Sequence, residues 1–124
     1  MSFLVVFLGA GLGGVLRHGV SLAALRVFGP GFPVGTMAVN VAGSMLMGMI
    51  AGYFALRGQA SAELRLFLGT GLLGGFTTFS AYSLDAVQLW ERGRTGAAVG
   101  YATGSVVLSV GALVLGMMLV RRLV

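Results

Sequence analysis

The chain has 124 residues, 57% of them hydrophobic and only 9% charged, with eight arginines and no lysine set against Glu63, Asp85 and Glu91. Soluble domains carry about 25% charged residues, and a mean hydropathy of +0.99 excludes a surface wetted on all sides. The lack of cysteine excludes disulfides and thiolate metal sites, and a net charge of +5 scattered over span ends leaves no basic stripe for nucleic acid.

Four apolar stretches near the roughly 20 residues needed to cross a bilayer fill the chain, predicting one all-α integral membrane domain over residues 1–124. The first predicted span is 2–26. No basic segment precedes it and no cleavage site is evident, so it is expected to be a retained helix rather than a signal peptide. Arg17 and His18 interrupt it. An arginine this far inside a span is by default a functional candidate. Two roles fit Arg17: raising anion concentration in a vestibule, or pairing with Asp85. His18 is assigned no role.

Gly29-Pro30-Gly31-Phe32-Pro33 is a cluster of helix breakers and predicts a tight turn. The second span, 34–56, carries Thr36, Asn40 and Ser44 one helical turn apart. It ends on Tyr53 and Arg57, an aromatic and a cation suited to the headgroup level. The Asn40 amide offers two N–H donors, which suit an anion. Interhelical glue is the equal alternative, because an unsatisfied amide in lipid is costly. Residues 59–63 predict a polar connection.

The third span, 64–90, contains Gly74-Gly75-Phe76-Thr77-Thr78-Phe79-Ser80 in its middle. Two glycines followed by two β-branched threonines weaken a helix, so a break is expected here. Non-helical backbone at membrane depth survives only where it is buried in protein or lines a watery cavity, and the carbonyls it frees can coordinate a cation. Phe79 and Tyr82 share a helix face. Their ring edges carry partial positive charge and suit an anion that must be held weakly; packing alone also explains the spacing. Glu91-Arg92-Gly93-Arg94 predicts the next turn.

The fourth span, 95–120, stops at Arg121-Arg122 and carries a hydroxyl stripe of Tyr101, Ser105 and Ser109, which reads as an ion track or as glue. Small residues recur every four positions on two spans, as Ser44, Gly48 and Gly52 and as Gly96, Gly100 and Gly104. Such rows let a second helix approach closely, within one subunit or between two. Four short helices enclose little volume, so a transport site is expected to need two copies.

Four spans put both termini on one side, with Arg57, Arg65, Arg121 and Arg122 there and Arg26, Arg92 and Arg94 opposite. That is almost no charge bias, and orientation is fixed by bias; the chain is expected to insert both ways up. Nothing in it looks like an enzyme. The strings Gly9–Gly14 and Gly69–Gly74 spell a dinucleotide fingerprint, which needs a strand before it, a helix after it and an acid about 20 residues on; the first has no acid until Glu63 and the second sits inside a predicted span.

Together these residues resemble the Fluc/CrcB fluoride channel family. The resemblance covers essentially the whole chain: Gly13-Gly14-Val15-Leu16-Arg17, Gly35-Thr36 with Asn40, Gly69-Thr70-Gly71, and the Gly74–Ser80 run. It implies an antiparallel, dual-topology homodimer in the inner (plasma) membrane, with two pores that let fluoride leave the cell passively and so relieve its toxicity. It also implies a structural Na⁺ at the dimer centre, held by backbone carbonyls of Gly74 and Thr77. The fluoride pore it implies comprises Asn40, Phe79, Tyr82, Tyr101, Ser105, Thr36 and Ser109, with Arg17 in the vestibule. Tyr82 departs from the family pattern, standing where a second phenylalanine is usual. The only partners implied are a second copy and membrane lipid, with no nucleic acid and no other protein.

Two rivals are weaker. A small proton-coupled multidrug exporter needs a titratable carboxylate inside its first span, where this chain has Arg17 and no acid. A structural subunit of a larger membrane complex leaves Asn40, the broken third span and the hydroxyl stripe unexplained.

Overall fold

A computed structural model describes residues 1–58 and 60–124. Gln59, part of the expected polar connection, lies outside them. The order is α1 (Ser2–Phe28), α2 (Val34–Arg57), α3 (Ala62–Arg65), a π-helical segment (Leu66–Leu73), α4 (Gly74–Phe76), α5 (Ser80–Glu91) and α6 (Thr95–Leu123), with no strand among the described residues. Three of these helices, α1, α2 and α6, are long and apolar enough to cross a membrane. The predicted third span is two pieces: a continuous helical run over 62–76 and, after a gap at 77–79, helix α5.

The chain is organised for lipid rather than water. Large apolar side chains point outward, among them Phe3, Phe7, Val107 and Leu123, while the residues buried from α1 are Gly9 and Gly13 alone. Helix α2 buries Gly35, Gly43, Gly48 and Gly52 beside Val39. Without a hydrophobic force to drive helices together in lipid, small residues that admit close backbone contact take over that task.

The closest example joins α2 to α6, the most extensive helix pair. A Cβ on Gly48 would strike the Leu113 carbonyl, and one on Gly116 would strike the Met45 carbonyl. Gly48 and Gly52 of the row Ser44, Gly48, Gly52 are therefore spent inside the subunit. The other row is not: among the described residues, a Cβ on Gly96, Gly100 or Gly104 would meet nothing within 4 Å.

Turn chemistry fixes the ends. Ser61 caps α3 by accepting the Leu64 N–H at 3.1 Å, as N-cap serines do. Gly58 closes α2 in the left-handed region at φ 63°, where a side chain would be strained. At the opposite end the Arg94 guanidinium donates to the Gly31 carbonyl, tying the α5–α6 turn to the α1–α2 turn.

The π-helical winding of 66–73 is announced by nothing in its apolar sequence. It lies against α1, where Gly71 and Gly9 bring the two backbones together. Helices wound this way are rare and cluster at functional sites, and only the short α4 separates this one from the gap.

Candidate functional site: a neutral cavity at the helix gap

At Thr77 the backbone turns extended, with φ −90° and ψ 161°, and helix resumes at Ser80. The gap leaves peptide groups without helical partners, and each must be satisfied at membrane depth. Asn40 on α2 satisfies two of them, both on Thr78. Its Nδ2 donates to the Thr78 carbonyl at 2.9 Å, and its Oδ1 accepts the Thr78 N–H at 2.8 Å. A carboxamide presents one donor and one acceptor side by side, as a peptide does, so it completes the interrupted backbone from a helix 38 residues away in sequence. One Nδ2 hydrogen is left over.

Other side chains bond to the flanks of the gap. Thr77 donates its hydroxyl to the Leu73 carbonyl at 2.9 Å, and the Thr78 hydroxyl accepts the Ala81 N–H at 3.0 Å, starting α5. Arg17 donates Nε to the Gly75 carbonyl at 3.2 Å, placing a cation at the C-terminal end of the first half-helix, where the helix dipole favours one. This corrects the pairing of Arg17 with Asp85 considered above. Asp85 instead accepts the Tyr101 hydroxyl through Oδ2 at 3.2 Å. A Cβ on Gly43 of α2 would collide with the Thr77 methyl, so a glycine is needed for α2 to lie against the gap.

Beside the gap lies a cavity of about 470 Å³. It gathers Asn40, Phe79, Tyr82, Ser105 and Ser109 with Gly74 and Thr77, and no charged residue lines it. Ser105 is 3% exposed, and its hydroxyl has no partner among the described residues. Phe79 projects outward, 78% exposed, with its ring centroid 5.5 Å from that of Tyr82.

Two expected members sit elsewhere. Thr36 lines a smaller cavity of about 220 Å³ with Asp85, Gln88 and Arg92, near the α1–α2 turn. Tyr101 is wholly buried at the core cluster with Leu89 and Ala98, edge-on to Phe32 at 5.5 Å. Arg17 lines neither cavity.

Sequence reasoning passed over Thr78, the residue that Asn40 pairs with, and Asp85 as the acceptor for Tyr101. Thr78 had a local signal: a threonine three residues before a helical N–H is a capping side chain. Asp85 had none, because its partner comes from another helix.

Helices built to face lipid, packed through backbone contacts and opened at one gap beside a neutral polar cavity, define a multi-pass α-helical membrane protein. The sequence matches the CrcB-like family, described as Camphor Resistance (CrcB), over residues 4–117, and the chain belongs to that family. It is 55% identical over 123 residues to the "Fluoride-specific ion channel FluC 2" of Nitrobacter hamburgensis, covering 99% of both chains. It is 51% identical over 123 residues to the "Fluoride-specific ion channel FluC" of Rhodopseudomonas palustris, again covering 99% of both chains. A relative of the same name in Granulibacter bethesdensis is 53% identical over 124 residues, which span all of this chain and 98% of that one.

Proposed function

We propose that this protein is a fluoride-selective ion channel giving passive fluoride export and resistance to fluoride toxicity. Fluoride is the transported ion, and the protein is not an enzyme. The observation that carries the reading is more than 50% identity over essentially the full length to relatives named as fluoride-specific channels. The cavity supports it on physical grounds. Fluoride holds its water tightly, so a path must replace that water with many weak donors. The Ser105 and Ser109 hydroxyls, the spare Asn40 N–H and the edges of Phe79 and Tyr82 supply such donors without a full charge to trap the ion. Thr36 and Tyr101 extend the path toward the second cavity, and Arg17 raises anion concentration in the vestibule.

All 124 residues form one four-span unit in this reading, with the gapped segment 62–91 as its third span. The assembly is an antiparallel homodimer with two pores, multi-pass in the inner membrane. The near-equal division of arginines between the two ends supports dual insertion. The unpartnered face of Gly96, Gly100 and Gly104 supports contact with a second copy. The described residues hold no cluster of His, Asp or Glu that could bind a metal, so a central Na⁺ would rest on neutral oxygens. The carbonyls of Gly74 and Thr77 fit it: hard cations take oxygen ligands, Gly74 is exposed, and two-fold symmetry doubles a pair of ligands to four. When bound, Na⁺ joins the two copies at the gap.

The test is fluoride efflux from liposomes containing the purified protein, followed with a fluoride electrode beside a matched chloride assay. Fluoride efflux without chloride efflux is expected, falling at least tenfold in Asn40→Ala and in Phe79→Ile. A folded dimer that passes neither ion would sink the proposal.

A further inference from the structure

The two aromatic rings beside the cavity are held very differently. Phe79 lies in the gap with 78% of its surface exposed. Tyr82, in the first turn of α5, is half-buried and held from α6 at its ring and its hydroxyl. Its ring lies 5.5 Å from that of Phe79 and 5.4 Å from that of Tyr101, tilted to both. Its hydroxyl donates to the Ala102 backbone carbonyl of α6 at 2.6 Å, at the short end of O–H···O bonds.

A phenol has one proton to give, and here α6 has it. The oxygen is left with lone pairs, which repel an anion, so the hydroxyl is no donor for one while the bond stands. The ring edge, with its partial positive charge, is the only part of Tyr82 that can face the ion. The bond also crosses a helix interface. Tyr101 on α6 donates back across it to Asp85 on α5, so two phenol bonds running in opposite senses rivet α5 to α6.

We propose that Tyr82 is a positioning residue for ion passage. Its hydroxyl is a latch on the α6 backbone that holds the ring edge toward the cavity and gives Phe79 a fixed neighbour to move against. The proposal deepens the channel reading and rests on it. It assigns the extra oxygen of this tyrosine to orientation, not to contact with the ion.

The experiment compares the parent with Tyr82→Phe and Tyr82→Leu in liposomes across a range of fluoride concentrations, with thermal unfolding in detergent alongside. In Tyr82→Phe, maximal fluoride flux is expected to fall about two- to tenfold, the factor one net hydrogen bond supports. The fluoride concentration giving half-maximal flux should stay where it is in the parent, chloride should remain excluded, and Tm should drop by about 2 to 6 °C. Tyr82→Leu, which lacks a ring edge, should lose the preference for fluoride over chloride. A higher half-maximal concentration in Tyr82→Phe would make the hydroxyl an ion ligand and overturn the latch. So would a Tyr82→Phe protein with parental flux and parental Tm, because the bond would then be idle. A parent that passes no fluoride would remove the channel reading and this role with it; a conducting parent with either contrary result removes the latch alone.

Discussion

The two halves of the interrupted segment are bonded to their neighbours by different means. The first half, 62–76, docks on α1 through bare backbone. A Cβ on Gly75 would run into the Ala10 carbonyl, and one on Gly13 would run into the Leu72 carbonyl. The second half, α5, docks on α6 through side chains: the Tyr82 and Tyr101 hydroxyls, and the core of Leu89, Ala98 and Tyr101. Backbone contact leaves no freedom for adjustment, whereas a side-chain contact can yield by changing rotamer. The gap therefore separates a rigidly seated half from one held by a few directional bonds. The rings of Phe79 and Tyr82 stand on the side that can be tuned, and Asn40 bridges the gap itself through Thr78.

The largest expected effect tests the rigid half. Gly75→Val drives a branched side chain into the Ala10 backbone, which cannot swing aside. We expect a loss of about 3 kcal/mol or more, read as failure to recover a monodisperse protein from detergent. Parental chromatographic behaviour would mean that the half-helix is not seated by backbone contact.

Next comes the bridge. Asn40→Ala leaves the Thr78 N–H and carbonyl without their partner. The expected cost is about 2 to 4 kcal/mol, seen as a lower Tm as well as lost flux. A variant with parental Tm and no flux would assign Asn40 to the ion alone and not to the gap.

The smallest expected effect on the fold sharpens the contrast between the two small-residue rows. Gly100→Val adds a side chain where nothing lies within 4 Å, so the subunit should keep its helical circular dichroism and its Tm to within a few degrees. The dimer should be lost on light scattering if this face meets a second copy; an intact dimer would move the interface elsewhere.

Much of the fold was legible from local pattern. The three long apolar helices, the Gly29–Pro33 turn and the Glu91–Arg94 turn follow from composition and from breakers acting on their own neighbours. The gap was legible too, because Gly74-Gly75 and Thr77-Thr78 weaken helix wherever they stand. The π-helical winding of 66–73 was not, since it is set by how that stretch lies on α1. Of the candidate site, residue type alone singled out Asn40 and the serines of the fourth span as polar groups that are costly in lipid, whereas Phe79 read equally as packing and its pore role came from the family resemblance.

What the sequence could not decide was which groups meet. Asn40 reads equally well as an anion donor or as glue until Thr78, 38 positions away, is brought beside it; then one of its donors and one of its acceptor sites are committed to the gap. Arg17 reads as a partner for Asp85 until each finds a nearer atom on another helix. Thr36 and Tyr101 share a helical stripe with Asn40 and Ser105, yet line a different cavity or none, because a stripe several turns long outruns any one cavity. By itself the sequence determined a lipid-facing helical chain with one weakened span, since helix formation and breakage depend on near neighbours. Only the tertiary structure decided which carbonyls are capped, which hydroxyl stays free and which ring is held, because hydrogen bonds act over about 3 Å and the chain positions they join are tens of residues apart.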